Sequence, residues 1–301
     1  MKDLEEVKIQ STDGQTLSLA VYESGDARGC IQLIHGMAEH KERYDDFARF
    51  LNENGYNVIT SDLRGHGKDA PLLSHISDKD GDKLLISDQQ EITAYINGRF
   101  GNMPVYLFAH SMGTIIARVL LQSDSGRYRK AVFSGYVCPN PLSGFALLLS
   151  NMIRCFKGSR KRSRLLTSLA LGPYIMSVSN RKTPHDWLTY NEANVEAYIN
   201  DPLSGVEFTT GSYSALFALT SKMSRASGYR NVNPELDILL LSGIDDPCAG
   251  GSKGRSASKE VLEAAGFKNI SVITYRAMRH EILNETDKGR VYRDVLDFLN
   301  K

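Results

Sequence analysis

The chain has 301 residues, 42% of them hydrophobic and 24% charged, and its 36 basic and 35 acidic side chains leave a formal net charge of +1. That is the profile of an ordinary globular protein able to bury a core without disulfides or metals, and it lacks the basic excess a nucleic-acid binder carries. The length allows two domains or one large core with an insertion.

Val7–Gln10 and Leu17–Val21 alternate apolar and polar residues around a turn at Asp13-Gly14, which predicts an antiparallel hairpin. Ile31–Ile34 is a short apolar run ending at His35-Gly36; a helix is predicted from about Tyr44 to Glu53, stopped by Asn54-Gly55, and a strand over Asn57–Thr60 that ends at Asp62. The rhythm continues with a helix over Ser87–Arg99, a buried strand over Val105–Ala109, a helix over Thr114–Leu121 and a strand over Ala131–Phe133. It resumes near the end as strand Ile238–Leu241, helix Lys259–Ala265, strand Val272–Tyr275 and helix Val291–Leu299. Alternating strands and helices imply an α/β fold with a mostly parallel sheet covered on both faces. From about Tyr136 to Arg230 no strand-like run occurs. The expected organisation is therefore a core of residues 1–135 and 231–301 with an inserted helical cap over 136–230.

Cys30, Cys138, Cys155 and Cys248 are widely spaced without a paired zinc pattern, and they read as reduced thiols. The charged start Met1-Lys2-Asp3-Leu4-Glu5-Glu6 has no apolar run behind it, and no uncharged apolar stretch reaches about 18 residues. Neither a secretory leader nor a spanning helix is expected, and a cytoplasmic location follows as the default.

Ala109-His110-Ser111-Met112-Gly113 lies between a buried strand and a helix, which reads as a nucleophile elbow with alanine at its first small position. The bland alternative is a serine at an ordinary helix N-cap. Serine needs a general base, and in this kind of fold the chain order is serine, acid, histidine. His185 lies in the cap and His280 just past a strand, at the sheet end where ligands bind, so His280 is the expected base. The acid belongs in Ser242-Gly243-Ile244-Asp245-Asp246-Pro247-Cys248, where Asp245 and Asp246 both qualify by position. The oxyanion donors are expected to be the backbone N–H groups of Met112 and of Met37, in the loop His35–His40. His35 and His40 have no further ligands around them in sequence, so an orienting role is expected of them and no metal.

With these residues in place, the chain resembles the monoacylglycerol lipase and lysophospholipase branch of the α/β-hydrolases, grouped with the serine aminopeptidases. His35-Gly36-Met37-Ala38-Glu39-His40 is similar to that family's His-Gly-x-x-Glu-His loop, and Asp62-Leu63-Arg64-Gly65-His66-Gly67 to its Asp-x-Arg-Gly-His-Gly segment, continued here by Lys68 where the family has serine. His110-Ser111-Met112-Gly113 matches the elbow, while Ala109 and Thr114 stand where the family usually has glycine. Asn200-Asp201-Pro202-Leu203 and Arg279-His280-Glu281 also fit. The family's Asp-Pro pattern puts the triad acid on Asp246, giving Ser111, Asp246 and His280. Asp62 and Arg64 are expected to be structural, tying their loop by a charge-assisted hydrogen bond.

The resemblance implies an α/β-hydrolase fold and a carboxylic ester hydrolase without a cofactor, acting on a small-molecule lipid-like monoester, a monoacylglycerol or lysophospholipid. An amidase or aminopeptidase on the same triad is the alternative, with Glu192 and Glu207 as candidate amine anchors, or a general short-chain carboxylesterase. A catalytically dead interaction protein on this fold typically loses the serine or the histidine, and this chain keeps all three candidates. In the cap, Phe145–Leu149 and Met152-Ile153 precede Arg154, Lys157, Arg160, Lys161, Arg162 and Arg164, with Leu165-Leu166 and Leu169–Leu171 behind. One reading is a core-facing helix and a solvated basic loop. The other is a lid with peripheral contact to an anionic membrane.

Overall fold

Residues 30–34, 57–61, 105–110 and 130–134 are buried along their whole length. A strand apolar on both faces belongs in the middle of a sheet covered on both sides. The computed structural model describes residues 4–301, so Met1-Lys2-Asp3 of the charged start lie outside it. Its strands are β1 Glu5–Gln10, β2 Thr16–Tyr22, β3 Cys30–Ile34, β4 Asn57–Ser61, β5 Val105–His110, β6 Lys130–Ser134, β7 Asp237–Gly243 and β8 Asn269–Tyr275. They form one eight-stranded sheet in the order β1-β2-β4-β3-β5-β6-β7-β8. The first two strands pair as an antiparallel hairpin, β2 is antiparallel to β4, and every pairing from β4 to β8 is parallel.

Neighbouring residues on the central strands face opposite layers, as the period of two demands. Ile34, Leu107 and Leu240 join one core with helices α2 (Gly81–Phe100), α3 (Met112–Asp124) and α7 (Thr210–Met223). Leu33, Phe108 and Leu239 join the other, with α1 (Asp45–Glu53) and α9 (Lys288–Asn300). Four helices, α4 (Ser143–Lys157), α5 (Arg164–Met176), α6 (Glu192–Asn200) and α7, stand between β6 and β7. Of these α7 is buried along almost its entire length and packs on α2 and α3, while α4 lies on α7. A single antiparallel bridge, Arg162 with Thr209, also occurs in this stretch.

Two helices begin more than a turn earlier than their sequence suggests. Helix α2 starts at Gly81, directly after Asp80 in a left-handed conformation. The helix α8 (Gly251–Ala264) starts through Gly-Ser-Lys-Gly-Arg-Ser. Glycine and serine are poor helix formers. The second glycine is required by packing: a Cβ on Gly254 would collide with the Ala249 carbonyl and crowd Cys138. Among the described residues, no helix is long and apolar enough to cross a membrane.

Candidate active site

The chain leaves β3 to one side, through β4, and returns to β5 on the other. Such a reversal opens a crevice at the carboxyl ends of the two strands. It sets the loop His35–His40 beside Ser111, and a Cβ on Gly36 would approach the Ser111 Cβ to 3.0 Å. Ser111 has φ 50° and ψ −119°. A non-glycine residue in that region is strained by about 1–3 kcal/mol, held by the strand before it and the helix after it. Gly113 is needed because a Cβ there would run into the carbonyls of Ile34 and His35 at the end of β3. The crowding comes from the neighbouring strand, so Ala109 is accommodated, fully buried.

The Ser111 hydroxyl donates to His280 Nε2 at 2.7 Å, and His280 Nδ1 donates to Asp246 Oδ1 and Oδ2 at 3.0 and 3.1 Å. Asp246 Oδ1 also accepts from the backbone N–H of Cys248 at 2.8 Å. The three residues stand at the ends of β5, β7 and β8, so the His280 loop has to cross two strand ends to reach the serine. Glycines permit it. Gly135, with φ 54°, ends β6, and a Cβ there would sit 2.7 Å from the His280 carbonyl. At Gly243, the end of β7, a Cβ would overlap the carbonyls of Met278 and Arg279.

His280 is 1% exposed. Burial pushes its pKa down, but the charge and hydrogen bond of Asp246, then Glu281 and Glu39, outweigh that and hold the imidazole above its usual value. Asp245, by contrast, is exposed and accepts from the Tyr190 hydroxyl at 3.1 Å. His185 lies tilted against Tyr198, 5.1 Å between ring centroids, and lines the same cavity without a hydrogen bond to these three residues.

Met37 and Met112 line the cavity beside Ser111, and Met112 opens α3. The histidines around them are orienting groups. His35 Nδ1 donates to the Gly36 carbonyl at 2.8 Å, and its Nε2 accepts from the Leu63 N–H at 2.9 Å. His66 donates from Nδ1 to the Arg64 carbonyl and accepts at Nε2 from the Ala38 N–H at 3.3 Å. Burial holds His66 neutral, its pKa pushed down to about 3. His40 lies between Glu42 and Asp201, at 2.6 and 2.7 Å, and these hydrogen bonds outweigh its burial and raise its pKa. Asp62 and Arg64 are tied down separately: Asp62 holds Lys41 at 2.6 Å, and Arg64 forks onto Asp88 and Asp13.

The serine opens into a cavity of about 830 Å³ roofed by residues of the 136–230 segment, among them Leu169, Leu171, Ile175, Trp187 and Phe217. Glu207 is in its wall with its carboxylate accepting from the Thr167 hydroxyl, whereas Glu192 is on the surface, paired with Lys182 at 2.5 Å. All four cysteines are free thiols; Cys155 is exposed. Among the described residues, the groups close enough to share a cation are those of Asp246, Cys248 and His280, with ligand atoms within 4.8 Å of one another.

Thr114 carries a role that no motif assigned to it. The Thr114 hydroxyl donates to the Ser111 carbonyl at 2.7 Å and accepts from the Val137 N–H at 3.4 Å, tying the elbow to the segment leaving β6. Its place in the first turn of a helix after a strained residue was the available signal.

The family model described as serine aminopeptidase, S33, matches residues 25–287. The chain belongs to this family. Relatives include the monoglyceride lipase of Rattus norvegicus, 27% identical over 97% of this chain and 88% of the lipase. Phospholipase YtpA of Bacillus subtilis is 23% identical over 90% of this chain and 95% of its own. A thermostable carboxyl esterase from Bacillus coagulans superposes with a TM-score of 0.92 at 22% identity, covering 100% of this chain and 99% of the esterase. The monoacylglycerol lipase of Paleococcus ferrophilus superposes at 0.68, 20% identical, over 99% and 98%. These likenesses show the α/β-hydrolase fold.

Proposed function

We propose that this chain is a serine hydrolase that cleaves carboxylic esters through an acyl-enzyme, with lipid-like monoesters, a monoacylglycerol or a lysophospholipid, as its substrate class. The observation that carries the reading is the relay from Ser111 through His280 to Asp246 at the floor of a cavity of about 830 Å³. A drug-sized or acyl-sized ligand needs a cavity of roughly 300–1,000 Å³. The names of the relatives, monoglyceride lipase and phospholipase, support the same class.

In this mechanism His280 Nε2 takes the Ser111 proton as Oγ attacks the ester carbonyl. Asp246 keeps the proton on Nδ1 and stabilises the imidazolium that forms. The backbone N–H groups of Met37 and Met112 receive the oxyanion, aided by the positive end of α3. Collapse expels the alcohol, which takes the proton from His280. Water, deprotonated by the same imidazole, then frees the acid. Water apart, the groups these steps use are side chains and amides of this chain.

The 136–230 segment acts as the cap, its inner side meeting the acyl chain and its outer side a lipid surface. Helix α4 supports the outer role: Phe145, Leu148, Met152 and Phe156 share one exposed stripe, with Phe156 86% exposed. Lys157 ends α4, and Lys161 in the loop after it and Arg164 at the start of α5 are also exposed.

The test is hydrolysis of p-nitrophenyl esters of increasing chain length beside monoacylglycerol, lysophospholipid and aminoacyl amide substrates. Each buried CH₂ contributes about 0.8 kcal/mol, so kcat/KM should climb about threefold to fourfold per methylene until the cavity is full. Ser111→Ala should abolish turnover and fluorophosphonate labelling. A peak at acetyl esters would leave a short-chain carboxylesterase, and faster amide cleavage would leave a peptidase.

A further inference from the structure

Arg43 is in direct contact with both loops that face His280. It lies in a single turn of 3-10 helix, Lys41–Tyr44, after the oxyanion loop. Its Nη1 donates to Glu39 Oε2 at 2.6 Å and to Glu281 Oε1 at 2.8 Å, and Nη2 donates to Glu281 Oε2 at 2.7 Å. Glu39 belongs to the oxyanion loop, and its other oxygen accepts from the Gly36 N–H at 2.5 Å and the Tyr44 hydroxyl at 2.8 Å. Glu281 follows the histidine directly. It also accepts from Asn194 Nδ2 of α6 at 2.7 Å, and the Arg43 guanidinium stacks 4.9 Å from the Tyr198 ring of the same helix.

Both carboxylates are 3% exposed. Two buried carboxylates against one guanidinium leave an excess of one negative charge, if all three are ionised. The donors around each carboxylate favour that state: Arg43 and its hydrogen bonds hold Glu281 well below the usual carboxylate range, and Arg43 outweighs burial at Glu39 too.

We propose that Glu39, Arg43 and Glu281 form a charged clasp that locks the oxyanion loop to the His280 loop and keeps one net negative charge behind the imidazole. All three are positioning residues, and the proposal rests on the reading of His280 as general base. The other groups facing His280 are Asp246, the Cys248 thiol, and His110, whose ring centre is 4.9 Å away and which burial holds neutral at a pKa of about 4. From the cap it meets the apolar face of Trp187 at 5.0 Å. After Asp246, the two clasp carboxylates are the charges that most favour the protonated imidazole. The imidazolium is the form His280 takes as the tetrahedral intermediate builds.

The experiment is the pH dependence of kcat/KM on p-nitrophenyl butyrate, with thermal unfolding to verify each fold. Glu281→Gln leaves Glu39 against Arg43 and no net charge, so the acid limb should move to lower pH by about half a unit or more, with kcat down about tenfold. Glu39→Gln should move the limb the same way. Adding Arg43→Met to Glu281→Gln restores the lone negative charge on Glu39, so the limb should return toward its wild-type position while kcat stays low, because the bridge is still broken. A merely structural role would lower kcat in all three variants and leave the limb in place, and that result overturns the proposal. Where turnover is too slow to measure, the low-field imidazole proton of His280, titrated by NMR in Ser111→Ala with and without Glu281→Gln, reads the same shift. No acid limb and no titration in the parent protein would instead remove the base assignment, a failure distinct from that of the clasp.

Discussion

Asp245 and Asp246 are chain neighbours in different surroundings. Asp246 is 2% exposed and receives His280 Nδ1 and the Cys248 amide; Asp245 faces solvent and meets a tyrosine hydroxyl. Asp246→Asn should lower kcat by about 10⁴, because an amide there favours the wrong imidazole tautomer, while Asp245→Asn should stay within about threefold. Steady-state kinetics on one soluble ester decides it, and equal mild losses would place the acid elsewhere. The histidine adds a pH signature. Asp246 and the two glutamates hold His280 above its usual value, so below that raised pKa the imidazole is protonated and cannot accept the serine proton. The rate should fall with decreasing pH through a midpoint above about 6.5. A flat profile from about pH 5 to 9 would exclude a histidine base. At this scale the meeting of Ser111 and His280 was legible in the sequence, since a strand, a small residue and a helix announce an elbow at the serine and His280 follows a strand at the same end of the sheet. The choice of acid was not, because both aspartates share a loop and only family register separated them. The partners of Asp62 and Arg64 were equally hidden: Lys41 and Asp88 are brought in by the fold.

Secondary structure from the hairpin to the last helix was legible where apolar runs were short and bounded by turn residues. It failed at α8, whose first turns are helical against their own propensity because Gly254 has to pass under a carbonyl and Cys138. It also left α4 open between a core helix and a lid. Phe145, Leu148, Met152 and Phe156 recur at helical spacing, which marks an apolar face but not what covers it. In the structure that face is exposed, and part of the basic run is spent locally: Arg160 pairs with Asp78 at 2.9 Å, and Arg162 Nε donates to the Glu207 carbonyl at 3.1 Å. Lys157 and Lys161 are therefore the charges to test. Replacing both with Gln should weaken co-sedimentation with anionic vesicles by about fivefold per charge and leave neutral vesicles unaffected. Replacing Phe145 and Phe156 with Ser should lower binding to both kinds roughly tenfold or more. Hydrolysis of soluble short esters should be spared in each variant. A parent protein that ignores vesicles would make the stripe something other than a membrane face.

For the molecule as a whole, the alternation of strands and helices was enough to expect a parallel sheet with an antiparallel start, and the strand order agrees. What periodicity could not supply was the crossing of the His280 loop over two strand ends. Gly135 and Gly243 make that crossing possible, and in sequence they look like ordinary turn glycines. A near-neutral total charge also hides the local excess of the clasp, since 36 bases and 35 acids say nothing about which three are buried together.

Ser111 and His280 are 169 residues apart along the chain and 2.7 Å apart in space. Closing so long a loop is slow relative to forming local helices. The proposed acid and base also follow the 136–230 segment, so a ribosome releases the proposed nucleophile long before the groups that would activate it. A growing chain, or one stalled with its last strands unpaired, should bear a complete elbow and yet spare every ester it meets. In refolding from denaturant, the return of esterase activity should track the slowest spectroscopic phase, with far-ultraviolet circular dichroism recovering first. Activity appearing in step with early helix formation would mean the two ends of the chain meet before the sheet is closed.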